Sequence, residues 1–333
     1  MSSCTLVAVA ALAAVWSAPV LGPAPSTHAA LRAASPKPQP KPAKAKRAAK
    51  TRQAGARPAT GTRTAARTAG APATAADAAA GLAATRSTAP IRIALVDTGV
   101  APIAPLAPKL VPGADFVDTT GTTDDRNGHG TAMASIAASV CTTCALEPVR
   151  ALGDSGLGTT ALAAQGVRWA AASGARVINL SLTAPGPDDA LTSAIESAVA
   201  GGAVVVVAAG NSGSTDPAAQ GYPGAGAPDA ITVTSVDPNR RLYAWSNHGS
   251  WVHLGAPGIL DALSTRGAPM SAVGTSGSAA YVSGVAARLL TCDPSLTPAQ
   301  VDALLQSSAK PVPSLAGGLV DPDAALAAAG CAA

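Results

Sequence analysis

The chain has 333 residues, 48% of them hydrophobic but only 2% aromatic, so its core must be built from Ala, Val, Leu and Ile. That composition excludes a fold hung on a few large aromatic anchors and suits closely layered α/β packing. The net charge of +4 hides a division, with twelve Lys/Arg against one acid in residues 1–90 and eleven against eighteen in 91–333. The basic half has no aromatic side chains interleaved among its charges for base stacking. It therefore reads as a solvated tail rather than as a nucleic-acid or anionic-membrane surface.

In chain order, the first feature is the apolar run Thr5 to Trp16, of signal-peptide length and short for a membrane span. Small residues follow, and Thr27-His28-Ala29 is a usable cleavage signature, although no Lys or Arg precedes the run. Residues 1–29 are expected to act as a signal peptide, which places the product outside the cell or in the periplasm or cell envelope. Residues 30–90 contain PKPQPKPAKAKRAAK and then Ala/Thr/Arg/Gly repeats. With almost no large apolar side chains, this stretch cannot bury enough surface to offset its ordering entropy. It is expected to be a disordered linker, extended in its Pro-Lys part.

The composition changes at Ile91, and one domain is expected over 91–333. Ile91 to Val96 reads as a strand ending at Asp97. A helix over 130–139, a strand over 145–152 and a helix over 159–173 follow. Arg176 to Leu182 reads as a strand, 188–200 as a helix and Ala203 to Ala208 as a fully buried strand. Further strands are expected at 230–236 and 251–255, and helices at 276–291, 298–308 and 322–329. Strands apolar on both faces, alternating with helices, predict a parallel sheet covered on both sides.

Four polar residues stand out against this frame. Asp97 ends the first strand, on the side of a parallel sheet where ligands bind, and can accept a hydrogen bond from an imidazole. His129 opens a helix between two glycines, in Asn127-Gly128-His129-Gly130-Thr131. Ser276 opens a helix whose Val282, Val285, Ala286, Leu289 and Leu290 form one buried face. Free N–H groups at that helix start stabilise developing negative charge. Asn211 follows the most hydrophobic strand, and its amide can donate to an oxyanion. Singly, each has a more ordinary use as a turn residue, a surface histidine or a helix cap. Together, in the order Asp, His, Asn, Ser at the ends of separate elements, they point to nucleophilic catalysis by a serine.

The chain resembles the subtilisin-like serine proteases, the subtilases. The resemblance is carried by IALVDTGV (93–100), NGHGTAMASIAA (127–138), VINLSL (177–182), VVVVAAGNSG (204–213), GYPG (221–224), LGAPG (254–258), GTSGSAAYVSGVAA (274–287) and GGLVDPDAAL (317–326). It runs in order from about residue 91 to the end. It implies a three-layer α/β fold with a mainly parallel central sheet. It also implies a secreted serine endopeptidase in which Ser276 is the nucleophile, His129 the base, Asp97 its orienting partner and Asn211 the oxyanion donor. Substrate backbone would pair with Ser181-Leu182-Thr183, and Gly210 and Gly221 would line the pocket for the residue before the cleaved bond. Thr183 stands where many relatives have Gly, which narrows the expected rim. Gly277 and Ser278 replace the usual Met-Ala after the nucleophile, and no folded inhibitory propeptide is visible in 31–90. The competing reading is a catalytically weak subtilase fold used to bind peptides or as a scaffold. The presence of all four residues favours an active enzyme.

The Asn-rich loop that builds a strong calcium site in some relatives is absent, so no metal or other cofactor is expected. With Cys4 in the leader, Cys141, Cys144, Cys292 and Cys331 remain, and four cysteines allow three pairings. Cys141-Thr142-Thr143-Cys144 could alternatively bind a metal, but a zinc site needs partners. In an oxidising compartment, Cys141–Cys144 and Cys292–Cys331 bridges are expected. The expected partners are polypeptide substrates only, acted on by a monomer with no nucleic-acid ligand and no stable membrane span.

Overall fold

The apolar segments become strands, and the small-residue segments between them become helices, in the computed structural model, which describes residues 8–10, 89–118 and 121–331. Apart from residues 8–10, the expected signal peptide lies outside these residues, as does the expected linker up to residue 88. In chain order the strands are β1 (Ala8–Ala10), β2 (Arg92–Asp97), β3 (Ala114–Asp115), β4 (Ala145–Arg150), β5 (Leu157–Thr159), β6 (Val177–Leu180) and β7 (Val204–Ala208), then β8 (Ile231–Val236), β9 (Leu254–Pro257), β10 (Ile259–Leu263), β11 (Pro269–Val273), β12 (Lys310–Val312) and β13 (Leu315–Leu319). The α-helices are α1 (His129–Val140), α2 (Thr160–Ala172), α3 (Asp189–Ala200), α4 (Thr275–Cys292), α5 (Pro298–Ser307) and α6 (Pro322–Ala328).

Nine strands form one sheet in the order β12-β13-β9-β8-β7-β6-β2-β4-β3. Every pairing is parallel except the edge hairpin β12–β13. Strand alternation sorts the core into two layers. In β7, Val204, Val206 and Ala208 face one layer, with Ile136 of α1 and Val282, Val285 and Leu289 of α4. Val205 and Val207 face the other, with Val167 of α2 and Leu191 and Ile195 of α3. The result is helices, sheet and helices, as the resemblance implied.

Helix starts differ in a way that matters for the site. Thr159, Asp188, Thr297 and Asp321 each cap their helix through the side chain. By contrast, α1 and α4 begin at Gly128 and Gly274 with no side-chain cap. Their first N–H groups are left for other partners.

Several boundaries differ from the sequence reading. The strand expected over 145–152 ends at Arg150, and that expected over 176–182 spans only Val177–Leu180. The strand expected at 251–255 runs instead over Leu254–Pro257, because Trp251 and Val252 complete a turn closed by Val252 N to Gly249 O at 3.1 Å. The hairpins β10–β11 and β12–β13 were not foreseen, since neither alternates cleanly nor forms an apolar run. β1 pairs antiparallel with β5, also unforeseen.

Two disulfides are present, Cys141–Cys144 and Cys292–Cys331. The first occupies both thiols of the alternative metal motif. The second joins the last residue of α4 to the segment after α6, across 39 positions of sequence. Closing a loop of that length stabilises by about 4 kcal/mol in the chain-entropy account, or on the order of 10 °C for a domain of this size. A Cys292→Ser, Cys331→Ser pair is expected to melt lower by that amount in calorimetry. An unchanged melting temperature would show that the bridge adds no stability.

Candidate active site

Four successive buried residues, Ile93 to Val96, carry β2 into Asp97, itself fully buried. Asp97 Oδ1 accepts from Thr98 N at 2.8 Å and from His129 Nδ1 at 2.8 Å, with Oδ2 3.0 Å from the same nitrogen. His129 is the first residue of α1 and is 3% exposed. The backbone reaches this position because residue 130 is glycine: a Cβ there would stand 2.1 Å from Gly99 O. Burial alone pushes the His129 pKa down. The charge of Asp97, its hydrogen bond and the charge of Asp125 more than reverse this, so the imidazole lies above its ordinary value. With Nδ1 bonded to a carboxylate, Nε2 is the nitrogen left over, buried and without a hydrogen-bond partner among the described residues.

Asp125 went unrecognised in the sequence. Its Oδ1 accepts from Thr98 Oγ1, Asn127 N and Gly128 N at 2.9, 3.0 and 2.7 Å. Its Oδ2 accepts from Thr131 N and Oγ1 at 2.8 and 2.6 Å. This carboxylate supplies the negative charge at the start of α1 that Gly128 cannot.

On the other side of the site, Ser276 is the second residue of α4 and is 5% exposed. Its Oγ donates to Ser181 O at 3.3 Å. Asn211 is fastened to the same helix start: its Oδ1 accepts from Thr275 N at 2.9 Å, and Gly210 N donates to Thr275 Oγ1 at 3.0 Å. Because Oδ1 is committed, the Nδ2 donors of Asn211 are the part of its amide left over. The loop holding Asn211 is shaped by Asn247, fully buried and also missed. Its Oδ1 accepts from Ser212 N and Ser214 N, and its Nδ2 donates to Ala209 O and Ala219 O. All four bonding positions of that amide are used on one loop.

The residues expected to meet substrate lie close by. Ser181, Leu182 and Thr183 follow the end of β6 and are all buried, and Thr183 Oγ1 has no partner among the described residues. Ala184 N donates to Tyr222 O at 2.7 Å, which joins this segment to the one containing Gly221. Gly210 has φ +100°, and a Cβ there would stand 2.4 Å from Gln220 O, so the loop itself requires glycine at that position. Gly221 N donates to Pro217 O. No group of three or more His, Cys, Asp or Glu side chains gathers at a metal-holding distance among the described residues.

This geometry can be set beside known proteins. The sequence profile of the subtilase family of peptidases matches residues 89–325. The chain belongs to the subtilase family. It is 41% identical over 211 residues to thermitase from Thermoactinomyces vulgaris, covering 60% of this chain and 74% of that protein. It is 36% identical over 231 residues to subtilisin DY from Bacillus licheniformis, covering 66% and 83%. A crystal structure of a cold-adapted subtilisin-like serine proteinase superposes with a TM-score of 0.63 at 34% identity, covering 69% of this chain and 86% of that one. Among the described residues of this subtilase, no helix is long and apolar enough to cross a membrane.

Proposed function

We propose that this subtilase is exported and hydrolyses internal peptide bonds through Ser276, His129 and Asp97, with Asn211 at the oxyanion. The observation that carries the reading is the buried pair Asp97–His129, which leaves Nε2 as the one imidazole nitrogen free to take a proton. In the proposed reaction Ser276 Oγ gives up its proton to His129 Nε2 and attacks the substrate carbonyl carbon. The carbonyl π pair moves to oxygen, where Asn211 Nδ2 and the N–H of Ser276 receive it. Collapse breaks the C–N bond, and His129 delivers its proton to the departing amine. Water, deprotonated by the same nitrogen, then attacks the acyl carbon; the bond from that carbon to Ser276 Oγ breaks, and Oγ takes the proton back from His129 Nε2. Asp97 holds the imidazole through Nδ1 and stabilises the imidazolium.

The scissile chain would lie along Ser181-Leu182-Thr183 as an added strand, with Gly210, Gly221 and the Thr183 side chain bounding the pocket. Export rests on the Thr5–Trp16 run and on the two disulfides, which persist in oxidising compartments. The reaction as drawn moves every proton between named side chains, substrate and water, and the enzyme would act as a monomer on polypeptides, without a nucleic-acid ligand.

A phosphonylating serine-hydrolase probe tests the reading. Labelling is expected at Ser276, and none in Ser276→Ala. A folded protein that takes up no label would favour the scaffold alternative. The raised His129 pKa adds a second expectation. The base must be neutral, so kcat/KM falls as pH is lowered through the His129 pKa, with a midpoint above the ordinary histidine value of about 6.5. Asp97→Asn removes the principal raising influence, so the midpoint should move down while kcat drops by about 10⁴. A midpoint that stays fixed in Asp97→Asn would assign the acid limb to another group.

A further inference from the structure

Strand β6 is buried and apolar except for Asn179, which is fully buried in the middle of it. Alternation places Asn179 and Ser181 on the face that Val177 turns toward α4. Three hydrogen bonds run in one direction from there. Ser283 Oγ of α4 donates to Asn179 Oδ1 at 3.0 Å. Asn179 Nδ2 donates to Ser181 Oγ at 2.9 Å, and Ser181 Oγ donates to the backbone carbonyl of Ser276 at 2.9 Å. Asn179, Ser181 and Ser283 all have no exposed surface. This direction leaves the single hydrogen of Ser181 for the Ser276 carbonyl: with the amide turned over, Ser181 would spend it on Asn179 and release that carbonyl.

We infer that Asn179 and Ser283, acting through Ser181, are positioning residues that hold the nucleophile's own peptide in place. The inference rests on the proposed role of Ser276. The peptide between Ser276 and Gly277 sets the direction of the Ser276 side chain. It is followed by glycine, the residue that restricts backbone torsions least. Its N–H donates to Gly274 O at 3.1 Å, and its C=O takes the Ser181 hydroxyl, so it is fixed at both ends. Ser276 and Ser283 are seven residues apart, two turns along one face of α4, so the relay pins the helix to the end of β6 at two points. A misplaced nucleophile costs turnover rather than ground-state binding.

The test uses Ser181→Ala, Ser283→Ala and the double variant, each removing only buried hydroxyls, with active enzyme counted by the phosphonylating probe. Ser181→Ala is expected to lower kcat about tenfold and Ser283→Ala about threefold, with KM changed less than twofold. The hydrogen bonds that connect Ser283 with Ser181 run through Asn179, so the double variant should be no slower than Ser181→Ala alone. Wild-type kcat in both single variants, or losses that multiply in the double variant, would overturn the relay. A loss confined to KM would overturn the relay by assigning the Ser181 hydroxyl, like the Ser181 backbone, to substrate binding. If Ser276→Ala itself keeps its activity, the active-site reading fails. If Ser276→Ala is inactive while Ser181→Ala turns over normally, only the relay fails.

Discussion

Ser276→Ala is expected to lower kcat by on the order of 10⁶-fold, and His129→Ala by a similar factor. In the proposed mechanism the alanine variant has no atom to form the acyl bond, and the histidine variant has nothing to accept the hydroxyl proton. The two groups act as a unit, so the double variant should be little worse than either alone. What activity survives comes from substrate binding and the oxyanion donors, which neither change removes. The measurement is steady-state turnover of an internally quenched peptide, on enzyme purified away from host proteases. Turnover within tenfold of wild type in either variant would take that residue out of the mechanism.

Asn211→Ala is expected to reduce kcat about 10²–10³-fold with KM nearly unchanged. The Asn211 amide is oriented before substrate arrives, because Thr275 N holds its Oδ1 at 2.9 Å. In the proposed role its donors meet charge that develops mainly in the transition state, so losing them would affect the chemical step rather than binding. Removal of Oδ1 also frees Thr275 N, so the variant's melting temperature should be recorded beside its kinetics. A rise in KM at constant kcat would mean that Asn211 holds ground-state substrate.

Much of the layered sheet was legible because its strands announce themselves. The run Val204 to Val207 has no amphipathic phase, so only a strand buried on both faces accommodates it. The small-residue helices were legible for a similar reason, since Val282, Val285 and Leu289 repeat on one face. The hairpin β10–β11 was not, because each of its strands buries only one residue fully, a small alanine, and Asp261 and Ser271 interrupt any apolar run. Within the candidate site, polar residues at element ends with glycine close by could be picked out, as Asp97, His129, Asn211 and Ser276 were. Asp125 and Asn247 could not. Each works by satisfying distant or neighbouring backbone N–H and C=O groups, and that need exists only after folding. Asn179 did leave a trace, as the single amide inside the buried strand Val177–Leu180.

The Cys292–Cys331 bridge has a topological consequence for a protease in the company of its own copies. The covalent ring it closes contains the whole of α5, β12, β13 and α6. A single cut anywhere between Asp293 and Gly330 opens the ring without releasing a fragment, because both new ends remain tied to the body of the chain. Such a nicked molecule keeps its mass under non-reducing conditions and falls into two pieces only when a thiol is added. The cleaved segment stays tethered beside the β9 edge, where β13 pairs, and can settle back onto it.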